Sequence, residues 1–155
     1  MTNPDLDTVA ALLGRKPQGV FSVVVRDLNG APVVIHNQPL LDDKTPMPTS
    51  YWLLPGEIHH RVSQLESAGG VNQAEAEIGL AKIAAAHTKY QQERDATISP
   101  DHKGVRPSGG VGGTRIGVKC LHAHLAWWLA GGDDPVGNWV SEKLQISRPV
   151  NGVLQ

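Results

Sequence analysis

GVFSVVVRDLNGAPVVI (residues 19–35) is the stretch that decides the fold class. Gly19 to Arg26 is rich in β-branched residues, and so is Pro32 to Ile35. Asp27-Leu28-Asn29-Gly30 between them is a turn signal, so the pair predicts a β-hairpin. Before it, Leu6, Val9, Ala10, Leu12 and Leu13 recur at helical spacing, and Gly14 with Pro17 supplies a stop. After it the chain is irregular from His36 to Ser50, with Pro39, Pro46 and Pro48. Tyr51-Trp52-Leu53-Leu54 then reads as a further short strand.

The rest of the pattern is helical. Pro55 suits a first helical turn, Ile58, Val62 and Leu65 share a face, and Gly69-Gly70 ends that helix. Asn72 with Glu75 resembles a capping box, opening a helix expected to run to about Asp95. Along that helix Ile83, His87 and Tyr90 form a stripe that turns the imidazole towards a core. Thr97 to Gly117 reads as loop, Val118 to Leu129 as a helix closed by Gly131-Gly132, and Asp134-Pro135 as the start of a last helix. The expectation is a single α+β domain over residues 1–147. A small antiparallel hairpin or sheet packs against four to five α-helices, and residues 148–155 form a mobile tail. Trp127 and Trp128 cannot both face one core from one helix face, which assigns one of them to an edge, an interface or a ligand.

Bulk properties narrow the function. The 155 residues carry a net charge of −1, which disfavours nucleic acid or an anionic membrane as a partner for the whole surface. One cysteine excludes a disulfide within the chain, and the opening residues, with Asp5 and Asp7, do not resemble a signal peptide. No apolar run approaches the roughly 18 residues of a membrane helix. A cytoplasmic location is expected.

The region from Gly104 to Gly132 holds the candidate chemistry. Lys103, Arg106, Arg115 and Lys119 lie in a span that has no carboxylate and contains Gly104, Gly109, Gly110, Gly112, Gly113 and Gly117. Glycines let backbone N–H groups converge, and a following helix adds a favourable dipole. The expected anion site comprises Arg106, Gly112, Gly113, Thr114, Arg115, Gly117 and Lys119, with the guanidinium groups forking onto phosphate or carboxylate oxygens. The order of residues is neither a Walker loop nor a dinucleotide fingerprint.

Lys119-Cys120-Leu121-His122-Ala123-His124 offers a second possibility, a reactive or metal site. On a strand Cys120, His122 and His124 would share a face. On the helix favoured by their neighbours, Cys120 pairs with His124 and His122 points away. A helix N-terminus and Lys119 are expected to lower the thiol pKa, but the arginine six positions on that a phosphatase loop needs is absent.

Tyr51-Trp52-Leu53, Leu65-Glu66-Ser67-Ala68-Gly69-Gly70 and above all Val118-Lys119-Cys120-Leu121-His122 resemble the actinobacterial domain of unknown function 501 family, from the first helix to about Trp139. The resemblance implies a Cys-x-Cys in the hairpin and a Thr-Cys-Pro after the aromatic pair, which with the cysteine of Lys-Cys-Leu-His would make a four-thiolate metal site. Here the hairpin has no cysteine and Leu54-Pro55-Gly56 replaces Thr-Cys-Pro, so no cofactor and no metal of that kind is expected. Gene neighbourhood in the family implies a link to cell division or polyphosphate metabolism. The reading favours a non-catalytic binding or regulatory protein for an anionic small molecule or an acidic protein segment, and it is compatible with a homo-oligomer. The alternatives are a hydrolase of a phosphorylated or acyl substrate using Cys120 or a histidine, and a metal protein using Cys120 and His124.

Overall fold

In a computed structural model the described residues are 3–155; the first two residues of the expected 1–147 domain lie outside them. The hairpin forms as β1 (Phe21–Arg26) and β2 (Pro32–Asn37), paired antiparallel with Val23 opposite Ile35. Its turn is held by the Asp27 carboxylate, whose Oδ1 accepts the amides of Asn29 (2.8 Å) and Ala31 (2.9 Å). The third strand, β3 (Tyr51–Leu53), pairs antiparallel with β2 and completes a three-stranded sheet in the order β1-β2-β3.

Both faces of this sheet are covered, which follows from the alternation of side chains along a strand. Ile35, Phe21 and Leu54 pack with Val9 of α1 (Leu6–Leu13) on one side. Val25, Val34 and Leu53 on the other side join a larger core with the remaining helices. Those are α2 (Glu57–Ser67), α3 (Gly70–Ile78), α4 (Leu80–Asp95), α5 (Leu121–Leu129) and α6 (Pro135–Leu144). The chain is therefore α+β, a three-stranded antiparallel sheet packed with six helices.

The sixth helix comes from a break that periodicity did not reveal. The expected helix from Asn72 to Asp95 is two helices, parted at Gly79, whose φ of 91° and ψ of 143° no helix accommodates. Asn72 lies inside α3 and does not cap it, because Gly69 holds the cap position. Glu75 is used elsewhere: its Oε2 accepts the Val118 amide at 2.9 Å.

α5 is the central helix. Eight of its nine residues are buried, with His122 the one left partly exposed. This corrects the expectation that one tryptophan must sit at an edge. Trp128 enters the large core, while Trp127 enters a second core with Ala86, Tyr90 and Val111. At the start of α6 the Asp134 carboxylate caps Val136 N through Oδ1 (3.0 Å), and its Oδ2 accepts from His124 Nδ1 (2.7 Å).

The long loop from Thr97 to Gly117 is anchored from α4. Buried Arg94 donates to the carbonyls of Pro48 (3.1 Å), Gly109 (2.9 Å) and Pro107 (3.4 Å). His87 Nδ1 accepts the Val111 amide (3.1 Å) and its Nε2–H donates to the Gly117 carbonyl (2.7 Å), so the ring is the neutral Nε2–H tautomer. Residues 148–155, read from the sequence as a mobile tail, run beside β1, where Arg26 N donates to Gly152 O (2.8 Å) and Leu154 N to Arg26 O (2.9 Å). The Arg148 guanidinium stacks 4.3 Å above the Trp128 ring. No helix among the described residues is long and apolar enough to cross a membrane.

Candidate functional site

The site forms where the glycine loop becomes α5. Helical dihedrals begin at Leu121, three residues later than periodicity predicts, and Cys120 is extended (φ −152°, ψ 152°). An extended Cys120 falls outside the i, i+4 rule that pairs it with His124. The ligand-type groups near its sulfur are Glu66 and His122 instead, with one donor atom of each residue within 4.8 Å of the others. His124 is fully buried and engaged with Asp134.

α2 brings three polar residues to this point. His59, Ser63 and Glu66 stand at i, i+4 and i+7, one stripe beside the apolar Ile58, Val62 and Leu65. Glu66 Oε2 accepts the Leu121 amide (2.7 Å), and Oε1 lies 3.4 Å from His122 Nδ1. His122 Nε2 contacts Ser63 Oγ (3.0 Å) and the His59 carbonyl (3.2 Å). The His59 and His122 rings are 4.2 Å apart, centre to centre. Burial holds the His59 pKa down, and neighbouring His122 adds to this.

A cavity of about 320 Å³ opens over these groups. Cys120, His122 and His59 border it on one side, Tyr51 and Trp52 form an aromatic wall, and Arg15 and Lys119 stand over it. The Arg15 guanidinium lies 5.4 Å from the Trp52 ring centre. No carboxylate is among the lining residues.

The thiol differs from the sequence expectation. Burial pushes the Cys120 pKa up, and the Glu66 carboxylate adds to that. The amides of Ala123 and His122 and the Lys119 ammonium pull the other way without prevailing. Burial of the sulfur is the main reason, and at the helix N-terminus a built-in carboxylate that takes the Leu121 amide adds to it.

The expected anion loop is divided in space. Gly112 and Lys119 border the cavity, whereas Arg106 and Arg115 do not. Arg106 is exposed, with its guanidinium 3.4 Å from the Ser99 carbonyl, and Arg115 is exposed on the loop. Gly113 is exposed beside them, and Thr114 Oγ1 donates to the Ile116 carbonyl (3.1 Å). Gly117 is buried at φ 67°, where a Cβ would overlap the Glu75 carboxylate on its way to Val118 N. From sequence, Glu66 entered only as part of the family motif Leu65-Glu66-Ser67-Ala68-Gly69-Gly70, and Ser63 and Arg15 carried no signal at all.

The family model described as Protein of unknown function (DUF501) matches residues 23–142, and the chain belongs to that family. No curated protein and no solved structure matches it. The positions implied to carry family cysteines supply no sulfur here: Pro55 lines the same cavity as Cys120, and the hairpin over residues 21–37 contains no cysteine. Cys120 is the chain's single thiol, so a four-thiolate centre cannot form.

Proposed function

We propose that this DUF501 chain is a non-catalytic binding module whose cavity takes a small molecule bearing a phosphate or carboxylate group. The observation that carries the reading is the charge of the lining: two cations, Arg15 and Lys119, two imidazoles and no carboxylate. Such a lining attracts an anion, and the low-dielectric wall of Tyr51 and Trp52 strengthens that attraction. Lys119 acts as a mobile point charge, and Arg15, stacked on Trp52, offers a planar fork. That Gly112 and Lys119 border the cavity supports centring the site here instead of on Arg106 and Arg115. A thiol held up by burial gives no support to a nucleophilic role for Cys120. The family's implied link to polyphosphate metabolism makes phosphates the first probes.

Calorimetric titration with inorganic phosphate and with tripolyphosphate tests this at two salt concentrations. Lys119→Glu and Arg15→Glu are each expected to weaken binding by about tenfold or more, from the roughly 1.5–3 kcal/mol of a charge-assisted hydrogen bond. Arg115→Glu is expected to leave binding within about twofold, and raised salt to weaken the wild type. Loss on Arg115→Glu with retention on Lys119→Glu would move the site to the loop, and absence of binding by the wild type would end the reading.

A further inference from the structure

We infer that Cys120, His122 and Glu66 form a site for one divalent transition-metal ion of the zinc class, beside the cavity that Cys120 and His122 line and Glu66 does not. The inference is independent of anion binding by Arg15 and Lys119.

The proton inventory of His122 supports it. Ser63 Oγ donates to the His59 carbonyl (3.1 Å), as a helical serine does one turn on, and so has no proton left for His122. The His59 carbonyl is an acceptor only. His122 Nε2 meets both oxygens, at 3.0 and 3.2 Å, and must therefore carry the hydrogen. In the neutral ring this leaves a bare lone pair on Nδ1, 3.4 Å from Glu66 Oε1. With the ring neutral the two acceptors repel at that distance, and a cation between them, a metal ion or a proton on Nδ1, removes the repulsion. The Nε2–H partners are what a metal-bound imidazole requires to fix its tautomer and orientation.

The other two donors are prepared in the same way. Glu66 is oriented through Oε2 by the Leu121 amide at 2.7 Å, which leaves Oε1 available. The Cys120 sulfur belongs to the same group of donor atoms, within 4.8 Å of one another. A thiolate, an imidazole and a carboxylate form a donor set suited to Zn²⁺ or Co²⁺ and poorly suited to Mg²⁺ or Ca²⁺. All three residues are partly exposed, and Cys120 and His122 line the cavity, so an ion has an entry path. Three protein ligands leave a fourth position open to water or to a bound molecule. Binding would release the thiol proton to solvent as the thiolate ligates the ion.

Untagged protein, stripped by chelator and titrated with Co²⁺, tests the site. One equivalent per chain is expected, with a thiolate-to-cobalt charge-transfer band in the near ultraviolet. Cys120→Ser should abolish the band, and His122→Gln and Glu66→Gln should each weaken affinity at least about tenfold. Arg15→Gln should leave the metal titration unchanged while reducing phosphate binding, since Arg15 lines the cavity without acting on the Cys120 thiol, which keeps this result separate from the previous one. Should a variant fail to fold, the wild type alone decides. Zn²⁺ should shift the ¹⁵N resonance of His122 Nδ1 at one equivalent. A titration with no band and no such shift, or a Nδ1 resonance already that of an imidazolium in metal-free protein, would overturn the site in favour of a simple imidazolium–carboxylate pair.

Discussion

The Tyr90 hydroxyl accepts the amides of Ser50 (2.6 Å) and Tyr51 (3.3 Å), at the point where the chain enters β3. Burial of this phenol pushes its pKa up to about 12, so it remains neutral across the working range. Tyr90→Phe would leave two amides without their acceptor and should cost about 1–3 kcal/mol, read as a lower urea midpoint at unchanged slope. Because Tyr51 also walls the cavity, the same variant should loosen ligand binding without altering any residue that lines it. His122 depends on where a helix begins. Its neighbours predict a helix, and it is helical, yet its partnership with Cys120 depends on whether the helix starts at Val118 or Leu121. Boundaries of that kind are set by which amides find partners. Here Glu75 takes Val118 N and Glu66 takes Leu121 N, from helices 43 and 55 residues earlier in the chain.

Elements whose cause is local were legible. The hairpin came from β-branched runs around a turn, α1 from apolar spacing, and the start of α6 from Asp134-Pro135. The break at Gly79 was not, since Ala74, Ile78 and Ala81 continue a helical stripe through it. A glycine inside a helical pattern costs only about 1 kcal/mol, so tertiary packing decides whether it bends the chain. The loop from Thr97 to Gly117 owes its shape to Arg94, which from sequence is one more charged residue near a helix end. Arg94→Lys keeps the charge but loses the fork that reaches three carbonyls. It should destabilise the fold by about 2 kcal/mol or more, with limited proteolysis rising first between Ser99 and Arg106.

For the whole molecule, the two cores on either side of α5 explain why a helix so apolar carries no amphipathic stripe. Seen alone, its sequence allows one face of burial, and only the second core formed by α4 and the loop uses the other. Several histidines are built into this structure in neutral form. Burial lowers the pKa values of His87, His36 and His59 from their ordinary 6.5, most consequentially for His87, whose Nδ1 must accept the Val111 amide. The unfolded chain therefore binds more protons than the folded one below about pH 6.5, and stability falls as the pH drops from about 7 towards 5. Chemical denaturation at those two pH values should show the lower midpoint at the acidic one. His87→Gln should flatten part of that dependence, and an unchanged slope would contradict the assignment to His87. Amide and indole NMR during addition of tripolyphosphate tests for an anion cavity between β3 and the start of α5. The Trp52 indole and the Gly112 and Lys119 amides are expected to shift together and saturate together. Shifts confined to Arg106 and to Gly113 through Gly117, with Trp52 unmoved, would contradict it.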